Sequence, residues 1–326
     1  MGIICSTVLV TLAVIKLPSG TNQPLRLPAV SSDDSGQTIW NIAHRSHESE
    51  CIKNSLPAFI SAYLVGADFV ELDLRLTKDN VPIVYHNQTL DNNLDCQSKQ
   101  KQNISEMTYE EIQKHCSYTP SHKKCDISNW VSQFKGDRDI EDLINKNMNR
   151  ILSFKDLLAI LRKTEIGLFI ELKDYMTYPV LDELKKLDDQ HHCLHKTDGS
   201  SETFDCFRKI KIISFSPNIL RDNQRLIATK YHDSALRNIE IYPLHGYPDS
   251  LLASKSLWNF DGIAFHYQMD QSPHTFTQLV DELKQANPDK KIIVWDINNA
   301  KEMEKLQSVP QLDGIINSVP EAGDLK

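Results

Sequence analysis

A TIM-type (β/α)8 barrel with a loop-rich insertion after the third strand is the fold that this sequence predicts. From Ile39 onward, short runs rich in β-branched and aromatic residues alternate with stretches of helical period, a pattern typical of parallel strands joined by crossover helices. The strand-like runs are close in number to the eight that a closed parallel barrel requires. Of the 326 residues, 40% are hydrophobic and 25% are charged, so the chain can bury a large core.

The predicted strands exceed the barrel's requirement by one, and we interpret 262–265 as a short extra piece. The strands are 39–43, 69–74, 82–86, 167–172, 210–214, 238–242, 262–265, 291–295 and 313–316. Helices are predicted at 55–64, 108–115, 153–162, 178–187, 217–228, 276–285 and 300–306. Ser153 is placed to cap one helix, and Pro217 occupies a first turn, where proline is tolerated.

The stretch 92–149 is long, polar and rich in cysteine. We interpret it as an insertion over one end of the barrel, where long connections usually carry function.

The first part of the chain predicts export. Residues 3–15 form an apolar run, shorter than the roughly 20 residues of a membrane span, and turn-forming residues follow it. We interpret 1–20 as a signal peptide, 21–36 as a linker and 37–326 as the barrel domain. The expectation is a secreted or periplasmic protein with no stable membrane span, the alternatives for the apolar run being an anchor or a buried terminal segment.

The cysteines agree with an oxidising compartment. Six remain after the predicted signal, an even number that is compatible with three disulfides. Their pairing cannot be derived from the sequence alone, and unpaired buried thiols are the alternative. As a working hypothesis, we pair Cys51 with Cys96, Cys116 with Cys125 and Cys193 with Cys206, because the last two pairs close short loops.

Charge argues against a nucleic-acid partner. The chain has a formal net charge of -8 and a pI near 5.8. Nucleic-acid binding depends on Lys and Arg side chains that neutralise phosphates, so an acidic chain of this kind is unsuited to it. A small ligand held by local charges remains compatible with the composition.

Carboxylates alternate with apolar residues along two predicted strands. Glu71 and Asp73 share one face of 69–76, and Glu171 shares a face of 167–172 with Phe169. Buried carboxylates must be paired or coordinate a metal, and hard oxygen ligands suit Mg²⁺ or Ca²⁺. The sequence therefore predicts a divalent cation at these three residues. For either strand alone, an exposed polar face is the alternative.

Two histidines end predicted strands, His44 before Arg45 and His86 after Val84. Strand ends carry the catalytic groups of barrel enzymes, and imidazole titrates near neutrality, so the pair could act as acid and base. Arg45 could grip a phosphate through its guanidinium fork. Packed histidines and a surface ion pair are the plain alternatives.

These residues lie in blocks that resemble glycerophosphodiester phosphodiesterases. The blocks are 44–45, 54–59, 66–79, 84–91, 170–173, 213–217, 294–298 and 313–320. The resemblance implies that His44 and His86 are the general acid and base, and that Glu71, Asp73 and Glu171 hold the cation. It also implies that Arg45 and Lys173 contact the phosphate and that Trp295 forms an aromatic wall beside the substrate, although a tryptophan there can equally be core.

Three positions depart from the family pattern. Ser46 stands where glycine is usual, Lys53 where glutamate is usual and Asn87 where aspartate is usual. None of them removes a predicted ligand or catalytic histidine. They bear on substrate preference, because Ser46 and Lys53 are expected near the mouth of the site.

The resemblance implies metal-dependent hydrolysis of a small glycerophosphodiester to glycerol 3-phosphate and an alcohol. Either water or the neighbouring glycerol hydroxyl could attack the phosphorus. A lysophospholipase D or a phospholipase D-like enzyme on the same barrel is the nearest alternative, and Glu171 favours the glycerophosphodiester branch. A catalytically silent barrel that binds glycerophosphodiesters is the alternative from another class; the intact carboxylates and histidines weigh against it.

Overall fold

The computed structural model describes residues 39–90, 94–96, 102–119, 125, 127–132, 135, 137–161, 164, 166–190, 194–196, 203–246, 259–267 and 273–324. The predicted signal and linker lie outside these residues. The strands within them are β1 (Trp40–Ala43), β2 (Phe69–Leu76), β3 (Pro82–Val84), β4 (Leu94–Cys96), β5 (Cys116–Tyr118), β6 (Gly167–Leu172), β7 (Leu194–Lys196), β8 (Thr203–Asp205), β9 (Ile210–Ser214), β10 (Glu240–His245), β11 (Gly262–His266), β12 (Lys291–Ile297) and β13 (Gly314–Asn317). The helices within them are α1 (Leu56–Leu64), α2 (Tyr109–His115), α3 (Ser128–Ser132), α4 (Arg138–Asn147), α5 (Phe154–Leu161), α6 (Thr177–Asp189), α7 (Pro217–Thr229), α8 (Pro273–Ala286) and α9 (Ala300–Gln307).

Eight parallel strands close into a barrel. Their order around it is β1, β2, β6, β9, β10, β11, β12 and β13, and β13 pairs again with β1. Helices connect most of the successive strands along the chain, so the carboxyl ends of all eight strands lie at the same end of the barrel. The predicted TIM-type fold is confirmed.

Of the nine predicted strands, the one outside the barrel is β3, so the interpretation of 262–265 as the extra piece is wrong. β11 pairs in parallel with both β10 and β12. β3 runs antiparallel to β2, with Val84 opposite Leu74. The connection 77–81 is far shorter than the dozen or so residues that a parallel crossover needs, so it can only close a hairpin. The insertion follows the third strand in chain order, as predicted.

Side chains alternate between two environments along β2 and β6. Val70 and Leu72 are buried in the layer between the barrel and its helices. Phe69 instead packs inside the barrel, with its ring centroid 5.1 Å from that of Phe169. A Cβ at Gly167 would lie 2.2 Å from the Phe69 ring, so the amino-terminal part of the interior is tightly filled. The inward face continues towards the carboxyl ends, where the carboxylates lie.

The seven predicted helices are present, with ends that differ by a few residues. Ser153 caps α5, since its Oγ accepts a hydrogen bond from Asp156 N at 3.1 Å. Pro217 lies in the first turn of α7. The sequence did not predict α3 and α4, which bury few side chains beyond Trp130, Ile140 and Ile144. In the described part of the chain, no helix has the length and apolar character needed to cross a membrane.

Two disulfides fasten the insertion, and neither is a predicted pair. Cys96 bonds to Cys116 directly across the antiparallel β4–β5 pair. Cys51, in the loop after β1, bonds to Cys125 with their Cα atoms 5.2 Å apart. The prediction joined Cys116 to Cys125 because they close a short loop, but the pairing of β4 with β5 places Cys116 opposite Cys96 instead. The third predicted pair includes Cys193, which lies outside the described residues.

Candidate active site

Three buried carboxylates meet inside the barrel near the carboxyl ends of β2 and β6. Glu71, Asp73 and Glu171 are 3%, 0% and 6% exposed, and one oxygen of each lies within 4.8 Å of the others. The strand register causes this, because Asp73 is paired with Glu171 and Glu71 lies two residues earlier on the same inward face. The structure thus gathers the three predicted metal ligands into one cluster.

The three carboxyl groups of this cluster differ in their pKa values. Burial, and then the charge of Asp73, raise the pKa of Glu71 to about 8 and that of Glu171 to about 7. Burial would raise the pKa of Asp73 too, but nearby cationic groups, first among them Lys173, lower it to about 2. Three acidic groups at this spacing repel one another when ionised. The cluster therefore fits a divalent cation, which would hold all three as carboxylates.

Two cationic side chains border the carboxylates. The Lys173 ammonium lies 2.6 Å from Glu171 Oε2 and 3.0 Å from Asp73 Oδ1. Arg45 donates its backbone N–H to Glu71 Oε2 at 2.8 Å, and its Nε lies 3.7 Å from Asp73 Oδ2. That buried Nε has no hydrogen-bond partner among the described residues. Both predicted phosphate contacts therefore border the acidic cluster, and Arg45 retains a donor for a bound molecule.

His44 lies against two carboxylates. Its Nδ1 is 2.6 Å from Glu48 Oε1 and 3.1 Å from Asp296 Oδ1, and Ser318 Oγ donates to the same Glu48 oxygen at 2.8 Å. Burial would lower the pKa of His44, but the nearby carboxylates of Asp296 and Glu48 outweigh it and raise the pKa to about 10. His44 is therefore an imidazolium at neutral pH.

His86 has the opposite environment. Its Nε2 lies 3.1 Å from Arg45 Nη2, and its Nδ1 lies 2.8 Å from Asn87 Oδ1. A guanidinium can only donate, so Nε2 accepts and the proton is assigned to Nδ1. Burial lowers the pKa of His86. His86 is thus neutral at pH 7, with a lone pair at Nε2, while His44 carries a proton.

Trp295 lies near the carboxyl end of β12. Its ring packs edge to face with Phe215, at 5.6 Å between centroids, and lies 4.8 Å from the His266 ring. Its buried Nε1 has no hydrogen-bond partner among the described residues. Trp295 therefore packs against the barrel core and keeps one donor without a partner among the described residues, and its contact with substrate stays a prediction.

The sequence did not predict Glu48, Asp296 and Asn54 as site residues. Asn54 lies on a loop with a φ of 59°, and its side chain donates to Asp73 Oδ2 at 2.7 Å. Loops set the positions of Glu48 and Asn54, whereas Asp296 lies near the end of β12, where the register with β13 shifts between Val294 and Ile297. The available signals were local: Glu48 lies four residues after His44, Asp296 follows Trp295, and Asn54 opens a family block.

One departure from the family pattern, Ser46, has an unusual backbone conformation. Its φ is 66°, in the left-handed region that favours glycine, which is the residue usual at this position. Its backbone N–H donates to Glu71 O at 2.8 Å, and Asn54 N donates to Arg45 O at 2.9 Å. This turn places Arg45 beside the carboxylates of Glu71 and Asp73.

Comparison with known families gives a match over most of the chain. The profile described as "Glycerophosphoryl diester phosphodiesterase family" matches residues 44–322. The match begins at His44 and includes every predicted site residue.

Individual relatives are more distant. The chain is 29% identical over 153 residues to a lysophospholipase D of Homo sapiens, covering 47% of this chain and 42% of that protein. It is 25% identical over 221 residues to a glycerophosphodiester phosphodiesterase of Bacillus subtilis, covering 65% of this chain and 68% of that protein. The chain thus spans less than half the length of the human relative.

Solved structures share the fold. A glycerophosphodiester phosphodiesterase from Agrobacterium tumefaciens superposes with a TM-score of 0.59 at 17% identity, covering 89% of this chain and all of the other. A phosphodiesterase from Oleispira antarctica, solved with the product sn-glycerol-3-phosphate, gives a TM-score of 0.58 at 18% identity, covering 86% of this chain and 93% of the other. At these identities the likeness establishes the barrel alone.

Proposed function

The chain belongs to the glycerophosphoryl diester phosphodiesterase family, and we propose that it hydrolyses small glycerophosphodiesters to glycerol 3-phosphate and an alcohol. One observation carries the proposal: a buried three-carboxylate cluster, two cationic side chains and two histidines in unlike charge states lie together. The substrate's negative charge repels a nucleophile, and its leaving oxygen needs a proton. The site has groups suited to both requirements.

We assign Glu71, Asp73 and Glu171 to a divalent cation, Mg²⁺ or Ca²⁺. Both ions take carboxylate oxygens, and the raised pKa of two of the three groups supports a cation requirement. When bound, the cation would supply Lewis-acid polarisation of a phosphate oxygen. Arg45 and Lys173 would hold the phosphate, the first through a fork that matches two oxygens and the second as a point charge.

The two histidines take different roles in this proposal. His86, neutral and with the Nε2 lone pair accepting from Arg45 Nη2, would exchange that hydrogen bond for one from the attacking oxygen and remove its proton. His44, protonated beside Glu48 and Asp296, donates a proton to the leaving alcohol oxygen. Groups whose environments drive their pKa values apart are suited to opposite steps of acid–base catalysis.

Alanine substitution tests the assignment. His44→Ala and His86→Ala should each lower kcat by about 100- to 10,000-fold, the usual contribution of one acid or base. Their circular dichroism should stay that of the wild type. His232→Ala, in an exposed histidine after α7, is the matched control and should keep full activity. A wild-type rate in either site variant would remove that histidine from the mechanism.

Chelation tests the cation. Exhaustive EDTA treatment should abolish turnover, and Mg²⁺ or Ca²⁺ should restore it. Glu171→Gln should need more cation for half-maximal activity, because one charged ligand is lost. Full activity of the chelated wild type would end the metal assignment.

A lysophospholipase D activity is the second candidate. Phe215 is 52% exposed and Tyr175 is 63% exposed, and they follow the neighbouring strands β9 and β6 at the mouth. Exposed aromatic side chains there could cover part of an acyl chain, and one relative is named a lysophospholipase D. Turnover of lysophosphatidylcholine faster than glycerophosphocholine would favour this candidate, and the reverse order would favour the first.

We also propose that the protein works outside the cytosol. The two disulfides support this, because such bonds persist in oxidising compartments. Expression in cells of the full chain, followed by amino-terminal sequencing of protein from the medium or periplasm, should find cleavage near residue 20. Retention of the whole protein in the cytosol would contradict the proposal.

A further inference from the structure

Ser318 joins three segments of the chain beside His44. It follows β13 directly and is 7% exposed. Its backbone N–H donates to Ile297 O, at the end of β12, at 2.8 Å. Its Oγ lies 2.8 Å from Glu48 Oε1, in the loop after β1, and 2.9 Å from Asn298 Oδ1. The backbone thus fixes the place of this hydroxyl, which contacts one of the two carboxylates at His44.

The hydroxyl proton of Ser318 is assigned to Glu48. A hydroxyl has one proton, and an ionised carboxylate is a stronger acceptor than an amide oxygen. Burial would raise the pKa of Glu48, but the neighbouring His44, with a smaller contribution from Ser318, lowers it to about 2. Glu48 is therefore ionised at neutral pH and accepts the Ser318 proton.

Both carboxylate oxygens of Glu48 have neighbours. Oε1 lies 2.6 Å from His44 Nδ1 and accepts from Ser318, and Oε2 lies 3.8 Å from Arg45 Nη1. His44 and Arg45 belong to the same stretch of chain as Glu48, whereas Ser318 belongs to the end of another strand. Of these three contacts, the one from Ser318 therefore anchors the carboxylate to the barrel.

Two carboxylates at Nδ1 leave Nε2 as the nitrogen of His44 that can give up a proton. In the proposed reaction, His86 takes the proton of the attacking oxygen, the bond from phosphorus to the leaving oxygen breaks, and His44 Nε2 protonates that oxygen. We propose that Ser318 is a positioning residue for this last step: its hydroxyl holds Glu48 against Nδ1, which directs Nε2 towards the leaving oxygen. This role rests on the phosphodiesterase function proposed above and adds a residue to its acid step.

Leaving groups of different basicity test this role. Choline leaves glycerophosphocholine as a basic alkoxide unless it is protonated, whereas p-nitrophenolate leaves the p-nitrophenyl ester of glycerol 3-phosphate without a proton. Ser318→Ala should therefore lower kcat for glycerophosphocholine by on the order of tenfold, as for one hydrogen bond to a charged group. It should leave kcat for the nitrophenyl ester close to the wild-type value and change KM little. His44→Ala should show the same selectivity with a larger loss.

Ser234→Ala is the matched control. Ser234 is also buried, and its Oγ donates to Asp188 Oδ2 at 2.6 Å, but it lies before β10, at the amino ends of the strands. This variant should keep the wild-type ratio of the two rates, as should Ser318→Thr, which retains a hydroxyl.

The ratio of the two rates does not depend on the fraction of a variant that folds, because both rates are measured on the same protein. A merely structural role of Ser318 would lower both rates together and preserve the ratio, which would overturn the inference. Wild-type rates with both substrates in Ser318→Ala would overturn it too. Failure of the wild type to hydrolyse either compound would instead overturn the proposed function on which it rests.

Discussion

At the scale of single residues, the partner of each Nδ1 atom distinguishes the two histidines. Glu48 and Asp296 both lie at His44 Nδ1, whereas a neutral amide, Asn87, lies at His86 Nδ1. A carboxylate beside an imidazole stabilises its protonated form, and an amide does so far less. The chain thus separates the two pKa values with side chains next to the histidines, and each partner gives a test.

Asn87→Asp should move the acidic limb of the kcat/KM profile to higher pH by about one unit. The added carboxylate favours the imidazolium of His86, so the pKa of His86 rises and the base is neutral only at higher pH. The profile should be measured at fixed ionic strength. Asn80→Asp, at an exposed turn, is the control and should leave the limb in place. An unmoved limb in Asn87→Asp would exclude His86 as the base.

Glu48→Gln should move the alkaline limb to lower pH by about one unit. Loss of this carboxylate lowers the pKa of His44, and an acid must be protonated to act. Asp296→Asn should act in the same direction, because Asp296 lies at the same Nδ1 atom. Glu50→Gln, in the exposed neighbour of the same loop, should keep the wild-type profile. A shift of the acidic limb instead would reverse the assigned roles.

At the scale of elements, the carboxylates on strands were predicted from the periodicity of the sequence, whereas the residues that irregular segments place beside them were not. The inward positions of Glu71, Asp73 and Glu171 follow from alternation along two strands, and pairing of those strands brings the three together. Glu48 was not predicted because a turn sets its position, and Asp296 was not predicted because it lies where the register of β12 with β13 shifts. The extra strand was assigned wrongly because runs of similar composition were counted without regard to connection length, although 77–81 is too short for a crossover.

The disulfides give a prediction for these elements. Cys51–Cys125 joins residues 74 apart in the sequence, and Cys96–Cys116 joins residues 20 apart. The loop-closure relation gives stabilisations of about 4 and about 3 kcal/mol respectively, since a longer closed loop restricts the unfolded chain more. Urea unfolding of the paired serine variants, Cys51→Ser with Cys125→Ser and Cys96→Ser with Cys116→Ser, should show this order. A larger loss from the second pair would contradict the loop-closure explanation.

At the scale of the whole molecule, the barrel interior is apolar near the amino ends of its strands and charged near their carboxyl ends. Aromatic rings such as Phe69 and Phe169 fill the interior near the amino ends, and the next inward positions carry Glu71 and Glu171. An apolar core beneath a carboxylate cluster raises the free energy of the ionised state. The cluster is therefore destabilising when no cation balances it, so stability, cation and pH must be linked.

The pKa shifts fix the direction in which the free energy of unfolding changes with pH. The pKa of Glu71 rises from 4.5 to about 8 on folding, and that of Glu171 to about 7. Between pH 4.5 and 8 the folded chelated protein holds protons at these groups that the unfolded chain has released, so its free energy of unfolding falls as pH rises. Thermal unfolding in EDTA should therefore show a lower Tm at pH 8 than at pH 6. The double variant Glu71→Gln with Glu171→Gln should lose that part of the pH dependence.

Added cation should reverse the trend, because it binds the folded state in competition with those protons. At 100 times its dissociation constant, a ligand that binds only the folded protein stabilises it by about 2.7 kcal/mol, so Mg²⁺ or Ca²⁺ should raise the Tm most at pH 8, where the carboxylates are ionised. The double glutamine variant should show little rise. An equal rise in that variant, or a rise in the wild type that is larger at pH 6, would mean that the cation binds elsewhere and that these carboxylates carry no metal.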